Sequence, residues 1–455
     1  MKRASGFAGF TVMWSGQMLS TVGTRMTNFA IGISVFQQTH SALSVTLLTF
    51  VAFGATVAFS PIAGVLIDRW SRRTTIIAAD VGSAAVTLAL LGVYVFGDPQ
   101  LWQLYLVNFL TGAFLAFQVP AYGAAITLMI EKGGYTRANA MMGLLRAAPY
   151  VAAPAIAAPL VSAFGLAAVL AVDVVSAVIA IVTVYAVTLP PDPVREPVTP
   201  ADGTAVTRFR RDFAVGFTYI ARRPPLVGLL SVMIAISFLS ALGWVLFPPL
   251  ILARTGDSAN AVGIVQVVGA IGGTGAGVLL AMLKPTDKKI GRMLVAILVL
   301  GVLGRVLFGF EGIWVWSVAL FFGWGALPFI DGYNQTIWQE KTPPRLQGRI
   351  FAVVQMVENI ASPLAYLAAG LLADDLLEPA MRSGGWLASV FGPVTGTGPG
   401  SGIAVLFIVS GVGAAVVALV GFLTPAIRNA ESLLPDGGGE VVEPAPAAPG
   451  TAPAR

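Results

Sequence analysis

Twelve apolar stretches recur from one end of this chain to the other, and no other feature limits its fold as tightly. Each is about 20 residues or longer, enough to cross a hydrocarbon core about 30 Å thick as a helix rising about 1.5 Å per residue. Set between charged or Gly/Pro punctuation, the first six fall at 7–36, 44–67, 74–96, 101–128, 141–163 and 166–189. The second six fall at 225–252, 260–283, 291–310, 313–336, 350–373 and 401–424. Only 11% of the residues are charged, against about a quarter in a soluble domain. The expected fold class is therefore an all-α polytopic membrane protein whose solvent is the lipid bilayer.

The basic residues orient it. With the N-terminus inside, 22 of the 27 Lys and Arg residues fall on the cytoplasmic side, and only Arg254 and Arg382 fall outside. Arg25, Arg146 and Arg305 lie within spans. This is the positive-inside bias, and moving one helix in or out would scramble it. The expected location is a bacterial inner membrane, with both termini cytoplasmic. Residues 1–189 read as an N-terminal six-helix bundle and 225–424 as a C-terminal one. Between them, 190–224 is too polar for lipid and reads as a cytoplasmic linker carrying an amphipathic helix from Phe209 to Tyr219. A duplicated six-plus-six design places a site at the interface of the halves. The Pro/Ala/Gly-rich end, 425–455, reads as a disordered cytoplasmic tail. The 375–400 connection is longer than the other outer loops, and its pattern gives no reading.

Several function classes drop out. The chain has no cysteine and one histidine, His40, which reads as a solvated loop residue. Thiolate chemistry is excluded, a histidine-based metal site is not expected, and no cofactor is expected. Met1-Lys2-Arg3 looks like the basic start of a signal peptide, but the run from Phe7 is long and leads into further spans, so it reads as a retained first helix. The net charge of +5 is explained by topology, and no nucleic-acid partner is expected. Gly269, Gly273 and Gly277 recur at i, i+4, i+8 and read as a helix-packing face rather than a nucleotide loop. No G-x-x-x-x-G-K-[ST] pattern occurs.

The strongest local signal joins the second and third spans: Gly64-Val65-Leu66-Ile67-Asp68-Arg69-Trp70-Ser71-Arg72-Arg73. Gly64 permits close helix packing. Asp68 can accept from a helix N-terminus or pair with an arginine, while Arg69, Arg72 and Arg73 face anionic headgroups. This segment resembles the loop signature of the major facilitator superfamily, G-x-L-x-D-R-x-G-R-R, with Ser71 in place of the second glycine. Three further stretches are similar to its macrolide-efflux and siderophore-export branch: Trp14 to Gly23, Arg137-Ala-Asn-Ala140 and Gln347-Gly-Arg-Ile-Phe351. The resemblance spans roughly residues 7–424. It implies proton-linked alternating access, with the signature loop as a cytoplasmic gate in which Asp68 meets Gly348 and Arg349 in the outward-facing state. Two departures stand out. The fourth span carries Asn108 and Gln118 where many drug–proton antiporters have an arginine, and the fifth has Ala153-Pro154-Ala155-Ile156-Ala157-Ala158 in place of G-P-x-x-G-G.

Ionisable residues inside a membrane cost about 2.5–3.5 kcal/mol each on insertion scales and mark partners or cavities. Asp80 reads as part of the cytoplasmic loop network; Arg25, Arg146 and Asp173 are placed in the cavity of the first half, and Asp331 and Glu358 in the second. Fixed ion pairs between helices are the competing reading for each. Asp331 and Glu358 share their spans with no arginine, so they lead the candidates for proton coupling, followed by Asp173. Arg25 and Arg146 can hold an anionic substrate group. Gln17, Asn28, Asn108, Gln118, Asn334, Gln335 and Gln355 complete the candidate cavity lining. The expected function is a secondary, proton-coupled exporter of small amphiphilic drugs or secondary metabolites, working as a monomer. A dedicated siderophore or lysophospholipid transporter is the alternative. From other classes, a polytopic enzyme or a non-transporting receptor has little in the chain to support it.

Overall fold

The computed structural model describes residues 6–67, 70–130, 135–188, 205–284, 286–343 and 346–434. They form helices with no strand among them, as lipid requires of backbone groups that cannot turn to water. The first bundle comprises α1 (Gly6–Thr39), α2 (Ala42–Ile67), α3 (Arg72–Phe96), α4 (Leu101–Met129) and α5 (Tyr135–Ala186). α5 is two spans in one: Gly165 takes φ 73°, a left-handed value that breaks the helix into arms 135–164 and 166–186. That break supplies the sixth crossing. α6 (Ala205–Ala221) is the connecting helix.

The second bundle comprises α7 (Pro224–Thr255), α8 (Ala259–Met282), α9 (Lys289–Val302), α10 (Ile313–Lys341), α11 (Gln347–Leu371) and α14 (Ser401–Leu423). Ten stretches qualify as spans on apolarity and length alone. The kink in α5 makes eleven, and α1, whose inner face carries Gln17, Ser20, Thr24 and Thr27, makes twelve. Two bundles of six therefore stand as expected.

Close approach of α1 to the second arm of α5 is bought by Gly16 and Gly23, two turns apart on one face. A Cβ at Gly16 would run into Thr183, and one at Gly23 into Ser176 and Asp173. The glycine face of α8 differs from its sequence reading. Gly269, Gly272 and Gly273 pack against Leu320, Phe321 and Trp324 of α10, whereas a Cβ at Gly277 meets nothing among the described residues. A stripe at i, i+3, i+4 follows the helical period, which a strict i+4 series overruns.

The ninth span is interrupted. α9 ends at Val302 and a 3₁₀ turn, Val306–Gly309, finishes the crossing, so Arg305 sits in the break. The long outer connection also has structure: α11 runs on through a π turn at Leu372–Leu377 into α12 (Glu378–Met381), followed by α13 (Ala388–Thr395). The Glu378 carboxylate accepts from the N–H groups of Gly400 and Gly402, both at 2.8 Å, and so fixes the start of α14. Residues 425–434, expected to open a disordered tail, form α15 (Pro425–Arg428) and α16 (Ala430–Leu433) instead. Lys341 holds them, its Nζ donating to the carbonyls of Glu431 (2.6 Å) and Leu434 (2.9 Å). The rest of that stretch, 435–455, and residues 189–204 of the linker lie outside the described residues.

α6 begins somewhat earlier than the amphipathic pattern suggests and lies on the second bundle. Gly216 lets it touch the Arg349 carbonyl and Val353 of α11, and the Tyr219 hydroxyl donates to the Lys341 carbonyl at 2.9 Å.

Candidate functional site

Two buried carboxylates anchor the first bundle. Asp173, 3% exposed on the second arm of α5, accepts from Thr24 (3.2 Å) and Thr27 (2.8 Å) of α1 and from Thr87 (3.3 Å) of α3. Asp80, 2% exposed on α3, accepts from Gln17 Nε2 of α1 at 2.7 Å and from Gln118 Nε2 of α4. Gln118 also donates to Gln17 Oε1 at 3.3 Å.

Three expectations change here. Asp80 belongs to a buried interhelical network and not to the loop. Gln17 and Gln118, expected in the cavity lining, both donate to Asp80. Asp173 is enclosed among threonines of three packed helices, away from open space. The reason is the same in each case: a carboxylate in lipid recruits whatever donors neighbouring helices present. Asn108 is also buried and donates to the Leu104 carbonyl of its own helix at 2.9 Å. Asn28 is exposed on α1.

The gate motif is described only in part. Gly64 lies in α2, and its surroundings, together with Asp68 and Arg69, fall outside the described residues. Arg72 opens α3, capped by Ser71, whose side chain accepts from the Thr74 N–H at 3.1 Å. Arg73 donates to the carbonyls of Val184 (3.2 Å) and Tyr185 (2.9 Å), which ties the start of α3 to the end of α5. The side chain of Arg146 is likewise outside the described residues.

The second bundle carries its acids differently. On α10, Asp331 and Gln335 are exposed one turn apart; on α11, Gln355 is exposed and Glu358 is half-buried. Asp331 is close enough to Glu358 for the two charges to repel, and Asn334 is the polar neighbour of the Glu358 carboxyl. Glu358 Oε1 is buried with no hydrogen-bond partner among the described residues. Asn334 is held in place by Trp338, whose Nε1 donates to Asn334 Oδ1 at 3.1 Å. Asp331, Asn334 and Glu358 thus come together across α10 and α11, while no hydrogen bond links Gln335 or Gln355 to them among the described residues. No cation pairs with either acid among the described residues.

Between the bundles lies an aromatic cluster that sequence reading did not single out. Tyr150 of α5 stands edge-on to Trp244 of α7 (6.0 Å) and Trp324 of α10 (6.5 Å), and the two tryptophans stack at 5.1 Å. Arg25 lies 4.3 Å above the Tyr150 ring. These rings border a cavity of about 350 Å³ that reaches Ser240, Arg305, Ser362 and Tyr366. Arg305 was legible as an intramembrane cation; the aromatics, in a chain that is 10% aromatic, carried no distinguishing period.

The bundles also meet on the side opposite the basic connections. Asp374, in the π turn after α11, accepts from Ser41 Oγ (2.6 Å) and from the N–H groups of Ala42 (3.2 Å) and Leu43 (2.8 Å), so it caps α2 across the interface. Gly370 lets α11 seat against Leu43 and Thr46 there. Gln37 Nε2 donates to the Asp257 carbonyl at 3.2 Å, and His40 lies 3.9 Å from the Asp257 carboxylate.

Two six-helix bundles, packed around a cavity with acids and aromatics at their interface, define a membrane transporter. The sequence pattern of the Major Facilitator Superfamily matches residues 13–366, and the chain belongs to that family. Among its relatives is macrolide efflux protein A of Streptococcus pyogenes, 27% identical over 367 residues, covering 80% of this chain and 89% of that protein. Another is the enterobactin exporter of Shigella flexneri, 24% identical over 349 residues, covering 75% of this chain and 79% of that one. The fold is shared with a bacterial homologue of the human lysosomal transporter Spinster in an inward-facing, unoccupied conformation (TM-score 0.66, 16% identity, 92% and 96% of the two chains). It is shared too with an inward-facing bacterial homologue of the iron transporter ferroportin (TM-score 0.64, 16% identity, 92% and 99%). Fold and relatives are those of transporters and not of enzymes.

Proposed function

We propose that this chain is a proton-coupled exporter of small amphiphilic compounds working by alternating access, with Asp331 and Glu358 as its proton site. The observation that carries the reading is the contrast between the acids. Asp80 and Asp173 have two and three side-chain donors each, whereas the Asp331–Glu358 pair has no cation and leaves Glu358 Oε1 unpartnered among the described residues. Two nearby carboxylates repel when both are ionised, and uptake or release of a proton there changes the net charge between α10 and α11.

In this mechanism the substrate enters between the bundles near mid-membrane. Protonation removes the repulsion between α10 and α11 and lets the bundles close on one side; loss of the proton restores it. The basic connections face the cytoplasm, as the positive-inside bias dictates. The contacts of Asp374 and Asp257 then close the outer side, and the arrangement corresponds to an inward-open state. The likeness to macrolide efflux protein A supports export of amphiphilic drugs or metabolites. A dedicated siderophore cargo is the second reading, supported by the likeness to the enterobactin exporter.

Cells expressing the chain are expected to expel a macrolide and an amphiphilic dye only while the proton gradient stands. Asp331→Asn and Glu358→Gln should each reduce that efflux by about tenfold or more at equal membrane abundance. Undiminished gradient-driven efflux by both variants contradicts the assignment of the proton site. Absence of efflux for both compounds from well-expressed wild type directs attention to the siderophore reading.

A further inference from the structure

From the Arg305 pocket we infer a substrate class, resting on the exporter reading above: amphiphiles that present an acid group, such as a carboxylate, beside a planar aromatic ring. Arg305 sits in the break of the ninth span, and its guanidinium reaches across to α7. There Nη2 donates to the Ser240 carbonyl at 2.8 Å, its single hydrogen bond among the described residues. Ser240 lies near the middle of α7 (Pro224–Thr255), so the charge is held close to mid-membrane. The guanidinium occupies the space a side chain at residue 243 would take: a Cβ on Gly243 would collide with it. Glycine here makes room for the cation.

No carboxylate lies within ion-pair distance of Arg305 among the described residues, and its guanidinium is buried. Arg25, 4.3 Å from the centre of the Tyr150 ring, also has no acid within that distance among the described residues. An uncompensated guanidinium at that depth is costly, and the cavity beside it offers the compensation. Its cation is Arg305; its lining serines are Ser237, Ser240 and Ser362, beside Tyr150 and Tyr366. Ser240 Oγ is buried without a hydrogen-bond partner among the described residues.

The walls specify the rest of the ligand. Trp244 and Trp324 are stacked and Tyr150 stands edge-on to both, which favours a flat ring. Phe308 and Phe407, stacked at 4.6 Å, back the cavity beside the arginine, whose guanidinium lies 5.8 Å from the Phe407 ring. A volume of about 350 Å³ is at the small end of the range for ligand sites, about 300–1,000 Å³. It accommodates an aromatic acid, or the aromatic acid end of a larger amphiphile. The planar fork of arginine matches a carboxylate in two parallel hydrogen bonds. A neutral amide makes fewer, and an ammonium is repelled.

The test is equilibrium binding to the full chain in lipid nanodiscs, with no gradient, using tritiated 2-naphthoate. Unlabelled 2-naphthoate should compete at least about tenfold better than its isosteres 2-naphthamide and 2-naphthylmethylamine, the difference expected of a charged hydrogen-bonded pair. Arg305→Gln should reduce that preference to within about twofold while Arg305→Lys keeps part of it, because the point charge remains. Equal competition by the three compounds on wild type overturns the inference without recourse to any variant, as does an undiminished preference in folded Arg305→Gln. Binding is measured apart from transport, so the two readings fail separately. Preference for the acid without gradient-driven efflux of 2-naphthoate or of the compounds above retires the exporter reading alone; gradient-driven efflux without preference retires this one alone.

Discussion

Asp173 sits among Thr24, Thr27 and Thr87, and the geometry makes it a fastener between helices. Asp173→Ala should lower the unfolding free energy by about 1–3 kcal/mol, since hydrogen bonds to a charged group are lost and the freed hydroxyls recover part of it on their own backbones. Thermal melting in detergent reads that loss. Efflux per folded molecule should survive, in contrast to Asp331→Asn; a stable Asp173→Ala that no longer couples to protons would move the proton site into the first bundle. The list of intramembrane ionisable residues was readable from sequence, because the apolar background makes each one conspicuous. Their partners were not. Asp173 meets threonines 86 to 149 positions away, and the amides that engage Asp80 come from two other helices. Which acid is satisfied and which is bare depends on how helices rotate against one another, a property that no single span encodes.

Element boundaries followed from the balance of apolar length and charge, and where they slipped the cause is local. Gly165 breaks α5 where the 163–166 gap between spans was drawn, so α5 behaves as two crossings. The ninth span breaks at 303–305, and its composition is as apolar as its neighbours', so only the fold reveals the interruption. The outer connection carried no period to read because its order comes from the Glu378 carboxylate and from Asp374 reaching another element. Asp374→Ala strips the start of α2 of its cap, worth about 1 kcal/mol, and should shift the chain away from closure on that side. The natural chain has no cysteine, so spin labels at Gln38→Cys and Leu376→Cys report only that gap. The expected result is a longer, broader distance distribution in Asp374→Ala than in the labelled parent. An unchanged distribution would show that Gly370 packing against Leu43 and Thr46 suffices to hold the side shut.

At the scale of the molecule, two bundles meet through few polar contacts and an aromatic cluster, while each is fastened internally by buried networks. That division lets the bundles move as bodies about a mid-membrane site. In the proposed mechanism the first bundle's acids fasten its helices, the second bundle's acids respond to protons, and Arg305 and the tryptophans receive the cargo. The charge pattern had already announced the number of crossings and the six-plus-six design, because lipid leaves a chain few alternatives. The difference in hydrogen-bond partners among the acids, on which the proposed division of labour rests, depends on neighbours in other helices. The most direct test of that division is proton movement itself. The purified chain would be reconstituted into liposomes enclosing a pH-sensitive dye, and an exported substrate would be added to one side. Wild type should move protons against the substrate, whereas Asp331→Asn/Glu358→Gln should pass substrate downhill with no pH change. Proton flux undiminished in that double variant, or absent from wild type that is transporting substrate, would contradict the assignment of proton coupling to this pair.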